Sequence, residues 1–457
     1  MFMLKLYNTL TNKIEEISNE KEIGYYTCGP TVYNYAHIGN LRTYTLQDLL
    51  KRFLLFEGYK VKQVMNLTDV DDKTIRDSQK EGKSLKEYTR FYEKAFLQDL
   101  KKLNILTPEV ICRATEHIED MVSKIEELKK KGYAYEKDGS TYYSITKFKN
   151  YGKLSKIKLE NLKANTELKD EYDKENPSDF ALWKAWNKAD GKVFWETELG
   201  KGRPGWHIEC SAMSRKYLGD TFELHSGGVD LIFPHHENEI AQSEAATGKP
   251  FVKHWYHIEH LLVNDQKMAK SLKNFYTLRD IEDKKIPTYA LRFFFISAHY
   301  KTRLNFTWES LESAMNSVKS MIEAYALLLN YSKKVKKHKS KELEAFTKEL
   351  ENDLNTPEAI AVVFKKVKEI KNDIATYDVE RASKDLYFLK EVDKVLGVLE
   401  YYKDKKLTTK QKELLEERNR ARKAKDYTKA DELRKELNKD GLNLKDTGEK
   451  TLYYFEF

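Results

Sequence analysis

Cysteine is scarce in this chain, three among 457 residues, and Cys28 directly follows a β-type run in "YYTCGPTVYNYAHIGNLRTYTLQDLL". A thiol there reads as a buried apolar group or a metal ligand. Further along the same stretch, His37-Ile38-Gly39-Asn40 stands at the mouth of an apolar helix. Unpaired N–H groups and the positive end of the helix dipole make such a start an anion site. Gly39 leaves room for a ligand against the backbone. Downstream, "NDQKMAKSLKN" puts Lys267 and Lys270 on a polar loop after a β-type run, two mobile charges able to clamp phosphates. "HSGGVDL" offers glycines for close approach and Asp230, which on its own reads as the N-cap of a turn.

The elements that must position these groups are partly legible. Leu46, Leu49, Leu50, Phe53 and Leu54 make the apolar stripe of an amphipathic helix, and Gly58 stands where that helix would stop. A β-type run precedes it and "YKVKQVMNLTD" follows as a second strand, so the unit is strand, helix, strand. Such a unit implies parallel pairing and an α/β domain. Residues 103–201, rich in lysine and tyrosine, read as an insertion between two halves of the sheet. The α/β signals resume at "RPGWHIECSAM" and run to about residue 305. Beyond residue 307 the composition is helix-forming and charged. It predicts a helical bundle over 307–400 and a small mixed domain over 401–457 with a short β ending.

Bulk composition narrows the class. Lys and Arg number 81 against 73 Asp and Glu, and the net charge of +8 admits a nucleic-acid partner. No apolar run is long enough to span a membrane, and "MFMLKLYNTLTNKIEE" lacks a signal peptide's pattern. Three distant cysteines are a poor disulfide framework. A cytoplasmic protein without membrane association is expected.

"HIGN" and "KMAKS" resemble the His-Ile-Gly-His and Lys-Met-Ser-Lys-Ser signatures of class I aminoacyl-tRNA synthetases. The blocks "CGPTVYNYAHIGNLRT", "NLTDVDDKTI", "RATEHI", "GWHIECSAMS", "HSGGVDLIFPHHENEIAQSEA" and "ALRFFFISAHY" resemble the cysteinyl-tRNA synthetase family along essentially the whole chain. Two departures are visible: Asn40 replaces the second histidine of the first signature, and Ala269 a serine of the second. Asn40 can still donate a hydrogen bond but carries no charge.

The resemblance implies a Rossmann-type parallel-sheet catalytic domain over 1–306 with its signature loop at 267–271, then the helical bundle, then an anticodon-binding domain. It implies a ligase that activates cysteine with ATP and Mg²⁺ and transfers it to the 3′ end of tRNA(Cys), expected as a monomer. His37, Asn40, Lys267 and Lys270 would be catalytic, and with Gly39 and Asp230 would bind ATP. Gly29, Thr68, Trp206 and His225 would line the cysteine pocket. Cys28, Cys210, His235 and Glu239 would hold one zinc ion. The residues agree with that set: Pro234 suits a first helical turn, so His235 and Glu239 project from one face. Two thiolates, an imidazole and a carboxylate suit zinc. Cys112 reads as a buried thiol, and His236 and Glu237 as supporting or packing residues. Tyr453 matches the place of a family tryptophan and is expected at the anticodon. Two alternatives share the core, a cysteine ligase acting on an amino sugar and a non-catalytic RNA-binding paralogue. A zinc hydrolase is disfavoured because "HHENE" is not H-E-x-x-H.

Overall fold

The run Ile23, Tyr25 and Tyr26, all buried, becomes strand β1 (Glu22–Thr27). Helix α1 (Ile38–Phe56) follows, its stripe Leu46, Leu49, Leu50, Phe53 and Leu54 facing the core, and strand β2 (Lys60–Leu67) returns parallel to β1. Gly58, with φ of 89°, makes the turn between them. The computed structural model describes residues 4–17, 21–158, 179–268, 272, 274–448 and 450–456. It divides into one unit of residues 1–284 and 300–306 and another of 285–299 and 307–457.

Three further strands complete the main sheet of the first unit: β3 (Val110–Arg113), β4 (Phe222–Gly228) and β5 (Val252–Ile258). The order is β5-β4-β1-β2-β3 and all pairs are parallel. The chain builds outward from β1 on one side and from β4 on the other. The junction of β1 and β4 is therefore the topological switch point, where open α/β sheets bind ligands beyond the carboxyl ends of their strands. Helices α2 (Ile118–Lys130), α3 (Trp206–Leu218) and α4 (Glu237–Thr247) pack against one another.

The insertion differs from its expected bounds of 103–201. Val110–Arg113 pairs in register with Val64–Leu67 and belongs to the parallel sheet, and α2 follows it. The inserted layer is a second five-stranded, antiparallel sheet, running from strand Ala134–Lys137 to strand Gly200–Pro204. A four-residue strand carries too short a pattern to announce itself in sequence. The last inserted strand leads directly into α3, and so delivers Trp206 and Cys210 to the switch point.

A small sheet of Leu261–Val263, Gln266–Lys267 and Leu304–Phe306 carries Lys267. Arg42, on α1 and fully buried, fixes its approach by donating to the carbonyls of Glu259 (2.6 Å), His260 (2.8 Å) and Thr302 (2.7 Å).

The second unit is helical, and the periodic stretches seen in sequence become helices Trp308–Leu329 and Thr356–Asp373. It ends with helices Thr409–Lys423 and Tyr427–Lys439 and the hairpin Leu442–Asp446/Thr451–Phe455. Among the described residues no helix is long and apolar enough to cross a membrane.

Candidate active site

Cys28 leaves the end of β1, and its N–H donates to the Ser226 carbonyl of β4 at 3.2 Å, which seats it at the switch point. Cys210 comes from α3, His235 from the turn before α4, and Glu239 from the first turn of α4. One ligand-type atom from each of these four buried residues lies within 4.8 Å of the other three. The Cys28 and Cys210 sulfurs are 3.9 Å apart, and His235 Nε2 is 3.0 Å from Glu239 Oε1. The expected i, i+4 placement of His235 and Glu239 is thus what the helix start provides.

Cys28, His225, His236 and Glu239 satisfy the same spacing. The two sets share Cys28 and Glu239, and the first adds a second thiol, a softer donor set for zinc. His236 borders the cluster, its Nε2 3.4 Å from Cys28 Sγ, while its Nδ1 faces His257 Nε2 at 2.8 Å and His257 faces Thr9 Oγ1 at 2.8 Å. His225 Nε2 lies 2.9 Å from the other Glu239 oxygen and orients that carboxylate. Two thiols, an imidazole and a carboxylate, all buried, form a donor set that could hold a metal ion such as zinc.

The charges are arranged accordingly. Burial alone would raise Glu239, but His225 and His235 hold it down to about 2. Burial would lower His235, yet Glu239 and Cys210 lift it to about 10. Cys210, opposed by burial, is drawn down to about 6 by its hydrogen bond with Cys28 and the His235 charge. Burial and Cys210 push the Cys28 thiol up. Cys112 lies apart, its sulfur donating to the Met65 carbonyl at 3.5 Å in the apolar core, as expected of a buried thiol.

The second grouping surrounds the start of α1. His37 is the N-cap, its Nδ1 accepting the Asn40 N–H at 3.1 Å. The Ile38 N–H reaches the Tyr276 carbonyl at 2.9 Å. Burial lowers His37 to about 4, so at neutral pH the ring is uncharged; with Nδ1 accepting, its proton sits on Nε2 as a donor. His37, Gly39, Asn40, Asp230 and Lys267 together line a cavity of about 160 Å³. A Cβ on Gly39 would come within 2.8 Å of Met268 and 3.0 Å of the His37 ring, so the glycine keeps this mouth open. Lys270 and Ala269 lie outside the described residues. A larger cleft, about 920 Å³, has Lys83, Arg90, Lys192 and Phe194 in its wall and none of the candidate residues.

Beside the cluster runs a hydrogen-bonded thread. Gly29 N–H donates to Asn66 Oδ1 (2.9 Å), Asn66 Nδ2 to Thr68 Oγ1 (3.4 Å), and Thr68 Oγ1 to Glu209 Oε2 (2.7 Å). Gly29 is required, since a Cβ there would fall 1.8 Å from the Asn66 carbonyl oxygen. Trp206 is 40 % exposed and stacks on His235, with centroids 4.3 Å apart, so it is no core residue. His225 is wholly buried beside Glu239. Tyr453 lies on the C-terminal hairpin, its backbone paired with the Asn330 amide at 2.8 and 3.1 Å.

Sequence reasoning passed over Arg42, Asn66, Glu209 and the His236–His257 relay. Each lies in or beside a quoted block, but only the fold shows its partner. Glu237, expected to pack, accepts N–H bonds from Gly152, Leu154 and Ser155 (2.8–3.0 Å) and so ties α4 to the inserted layer.

Residues 14–316 match the family described as tRNA synthetases class I (C) catalytic domain, 345–400 the DALR domain, and 404–454 the cysteinyl-tRNA ligase anticodon binding domain. Cysteine–tRNA ligase of Brachyspira hyodysenteriae is 46 % identical, over 96 % of this chain and 97 % of its own length. That of Chlamydia pneumoniae is 45 % identical, over 97 % and 96 %. In fold, the chain is similar to Mycobacterium tuberculosis methionyl-tRNA synthetase in complex with methionyl-adenylate (TM-score 0.57, 13 % identity, 83 % of this chain and 90 % of that one). A catalytic match spanning the switch point, an anticodon-domain match at the far end, and such identity along the full length leave one assignment: the chain belongs to the cysteine–tRNA ligase family.

Proposed function

We propose that this enzyme activates L-cysteine with ATP and joins it to the 3′ end of tRNA(Cys). The observation that carries the reading is the meeting, at one switch point, of a buried thiol–imidazole–carboxylate cluster with a glycine-lined cavity at the start of α1. The first suits a substrate thiol and the second suits phosphates.

In the first half-reaction the cysteine carboxylate attacks the α-phosphorus of ATP, forming cysteinyl-adenylate and releasing pyrophosphate. In the second, the terminal ribose hydroxyl of the tRNA attacks the adenylate carbonyl and AMP leaves. The protein contributes placement and charge rather than covalent chemistry. His37 Nε2–H and the Gly39 N–H offer neutral donors to the phosphates, and Asn40 adds an amide. Lys267 and Lys270 supply cations as charge develops on the departing pyrophosphate, and Mg²⁺ accompanies ATP. Asp230 accepts from a ribose hydroxyl. Trp206 closes the amino-acid side, with Gly29, Thr68 and His225 around it. Cys28, Cys210, His235 and Glu239 would hold zinc, which supplies a soft Lewis acid for which a thiol is a far better ligand than a hydroxyl. Residues 1–306 would form the catalytic domain, 307–400 a helical domain and 401–457 the anticodon domain, with Tyr453 at a base. A cytoplasmic monomer fits this role.

Cysteine-dependent ATP–pyrophosphate exchange, followed by charging of tRNA(Cys) transcript, tests the reading. Lys270→Ala should lower exchange kcat strongly with unchanged metal content, since its charge is needed as the transition state forms. Exchange without charging, coupled to transfer onto an amino sugar, would redirect the assignment.

A further inference from the structure

The excess positive charge of the chain is not spread evenly. Residues 333–341 hold six lysines and His338 with no acid, and residues 403–406 hold three lysines around Asp404. Those nine of the 81 basic residues and one of the 73 acidic ones leave 72 of each sign elsewhere, so two short segments carry the whole formal excess of +8. Both belong to the second unit, and all nine lysines are exposed. Residues 333–341 also fall between the catalytic match, which ends at 316, and the DALR match, which begins at 345.

A block of like charges this dense ordinarily stays loose in solvent. Here it is strapped down through its backbone. Ser383, buried on helix Val379–Leu396, donates its hydroxyl to the Lys334 carbonyl and accepts the Lys336 N–H, both at 2.9 Å. Ser332 donates to the same carbonyl (2.9 Å) and accepts the Lys334 N–H (3.2 Å). These anchors use main-chain atoms and hydroxyls, so they consume no lysine charge. Lys333 meets Asp404 at 2.6 Å and brings the second segment alongside the first. Lys336 has Glu380 at 4.0 Å, while Lys334, Lys337, Lys339 and Lys406 have no acidic partner among the described residues. The surface is continuous with the C-terminal hairpin: Lys405 lies 5.9 Å over the Phe455 ring, and Lys450, in the hairpin turn, 5.6 Å over Tyr331 at the head of the strap.

Holding so many cations together costs repulsion, which a row of anions relieves. Lysines are mobile point charges, suited to phosphates spaced along a chain and indifferent to the bases those phosphates carry. An anionic membrane also offers negative charge. The two segments, however, contain a single apolar side chain, half-buried Val335, and have little to insert into lipid. A nucleic acid already seated on the adjoining hairpin needs no such anchor.

We propose that residues 333–341 and 403–406 form one lysine surface that grips the sugar–phosphate backbone of bound tRNA, adding affinity without reading sequence. The inference rests on the tRNA-charging reading above and adds to it a contact outside the catalytic and anticodon regions.

The test uses full-length protein carrying Lys334→Gln, Lys337→Gln, Lys339→Gln and Lys406→Gln together, and a second variant with Arg at the same four positions. Binding of tRNA(Cys) transcript is followed between about 50 and 200 mM salt, where each phosphate contact adds about 0.7–0.9 to the slope of log affinity against log salt. The Gln variant should show a slope shallower by about 3 and binding at least about 10-fold weaker at the low-salt end. Its cysteine-dependent ATP–pyrophosphate exchange should match wild type, which also reports an intact fold. A transcript of another tRNA should lose the same factor, and the Arg variant should bind as wild type does. An unchanged slope in the Gln variant overturns the proposal; if that variant instead loses wild-type binding to phosphatidylserine vesicles, the surface belongs to a membrane. A loss confined to tRNA(Cys) overturns the backbone contact in favour of sequence reading. If wild-type protein exchanges pyrophosphate but neither binds nor charges tRNA(Cys), the charging reading itself falls and the proposal with it.

Discussion

Without metal, the cluster carries protons on Cys28 and His235 at neutral pH, because the first thiol is pushed up and the imidazole is held near 10, while Cys210 and Glu239 are bare. Metal ligands must be deprotonated. Zinc loading at pH 7.5 should therefore release about two protons, read from calorimetry in buffers of different ionisation heat; no release would contradict the ligand set. Cys210→Ala should lose the metal, whereas Cys112→Ala should keep it and cost about 1 kcal/mol in stability as a small core truncation. Serine tests the same cluster. A pocket reading shape alone separates near-isosteres only ~10–200-fold, while a hydroxyl leaves a zinc–thiol site badly satisfied. The exchange kcat/KM ratio of cysteine over serine should exceed about a thousand, each ~1.4 kcal/mol giving a tenfold preference. Ser-tRNA(Cys) should not be deacylated faster with enzyme than without. The family resemblance implied this cluster before any fold was known, and the residue types agreed with it. The separation of His235 from His236, adjacent in sequence, was not legible as geometry, because it depends on how the turn enters α4. Glu209 was hidden for the same reason: a glutamate on a helix reads as a solvated face until its neighbours are known.

Among elements, the strand–helix–strand around α1 was readable because its apolar stripe has a period, and the helices of the second unit for the same reason. The inserted antiparallel sheet was not, since its strands are short and its central pairing joins Tyr143 to Phe180, and β3 is too short to show alternation. The C-terminal hairpin depends on a feature no periodicity reveals. Asp446 accepts from Arg418, itself nearly buried, through both guanidinium nitrogens at 2.5 Å, and pairs with Arg422 at 2.6 Å. Burial opposes ionisation of Asp446, but these arginines and Thr451 prevail and hold its carboxyl below the usual aspartate range. The lowered value means that its stabilisation is present above the ordinary pKa of about 3.9 and is lost as pH falls through the folded one. Asp446→Asn should weaken the hairpin by about 2 kcal/mol at pH 7, a figure moderated by solvent screening. Hydrogen exchange of the Leu442–Phe455 amides should show the gap between variant and wild type narrowing in acid. A gap independent of pH would mean that packing, not charge, holds the hairpin.

For the whole molecule, the division of labour can be checked by truncation. Residues 407–457 lie entirely in the second unit. Removing them takes away the basic helices, the hairpin and Tyr453, whose stacking on a base would be worth roughly 1–3 kcal/mol. The KM for tRNA should rise at least tenfold while ATP–pyrophosphate exchange persists; equal charging by the shortened chain would remove this region from recognition. The cluster at the switch point has another consequence, one that concerns time. Cys28 lies 182 residues before Cys210 and 211 before Glu239. At a synthesis rate of ~5–20 residues per second, roughly 10–40 seconds pass between the appearance of the first thiol and that of the last ligand. Throughout that interval the nascent chain presents an incomplete chelate, and an ion captured early would have to be held by one sulfur alone. Capture of a metal ion by the full cluster therefore waits until Glu239 has been made, after four of the five strands of the parallel sheet.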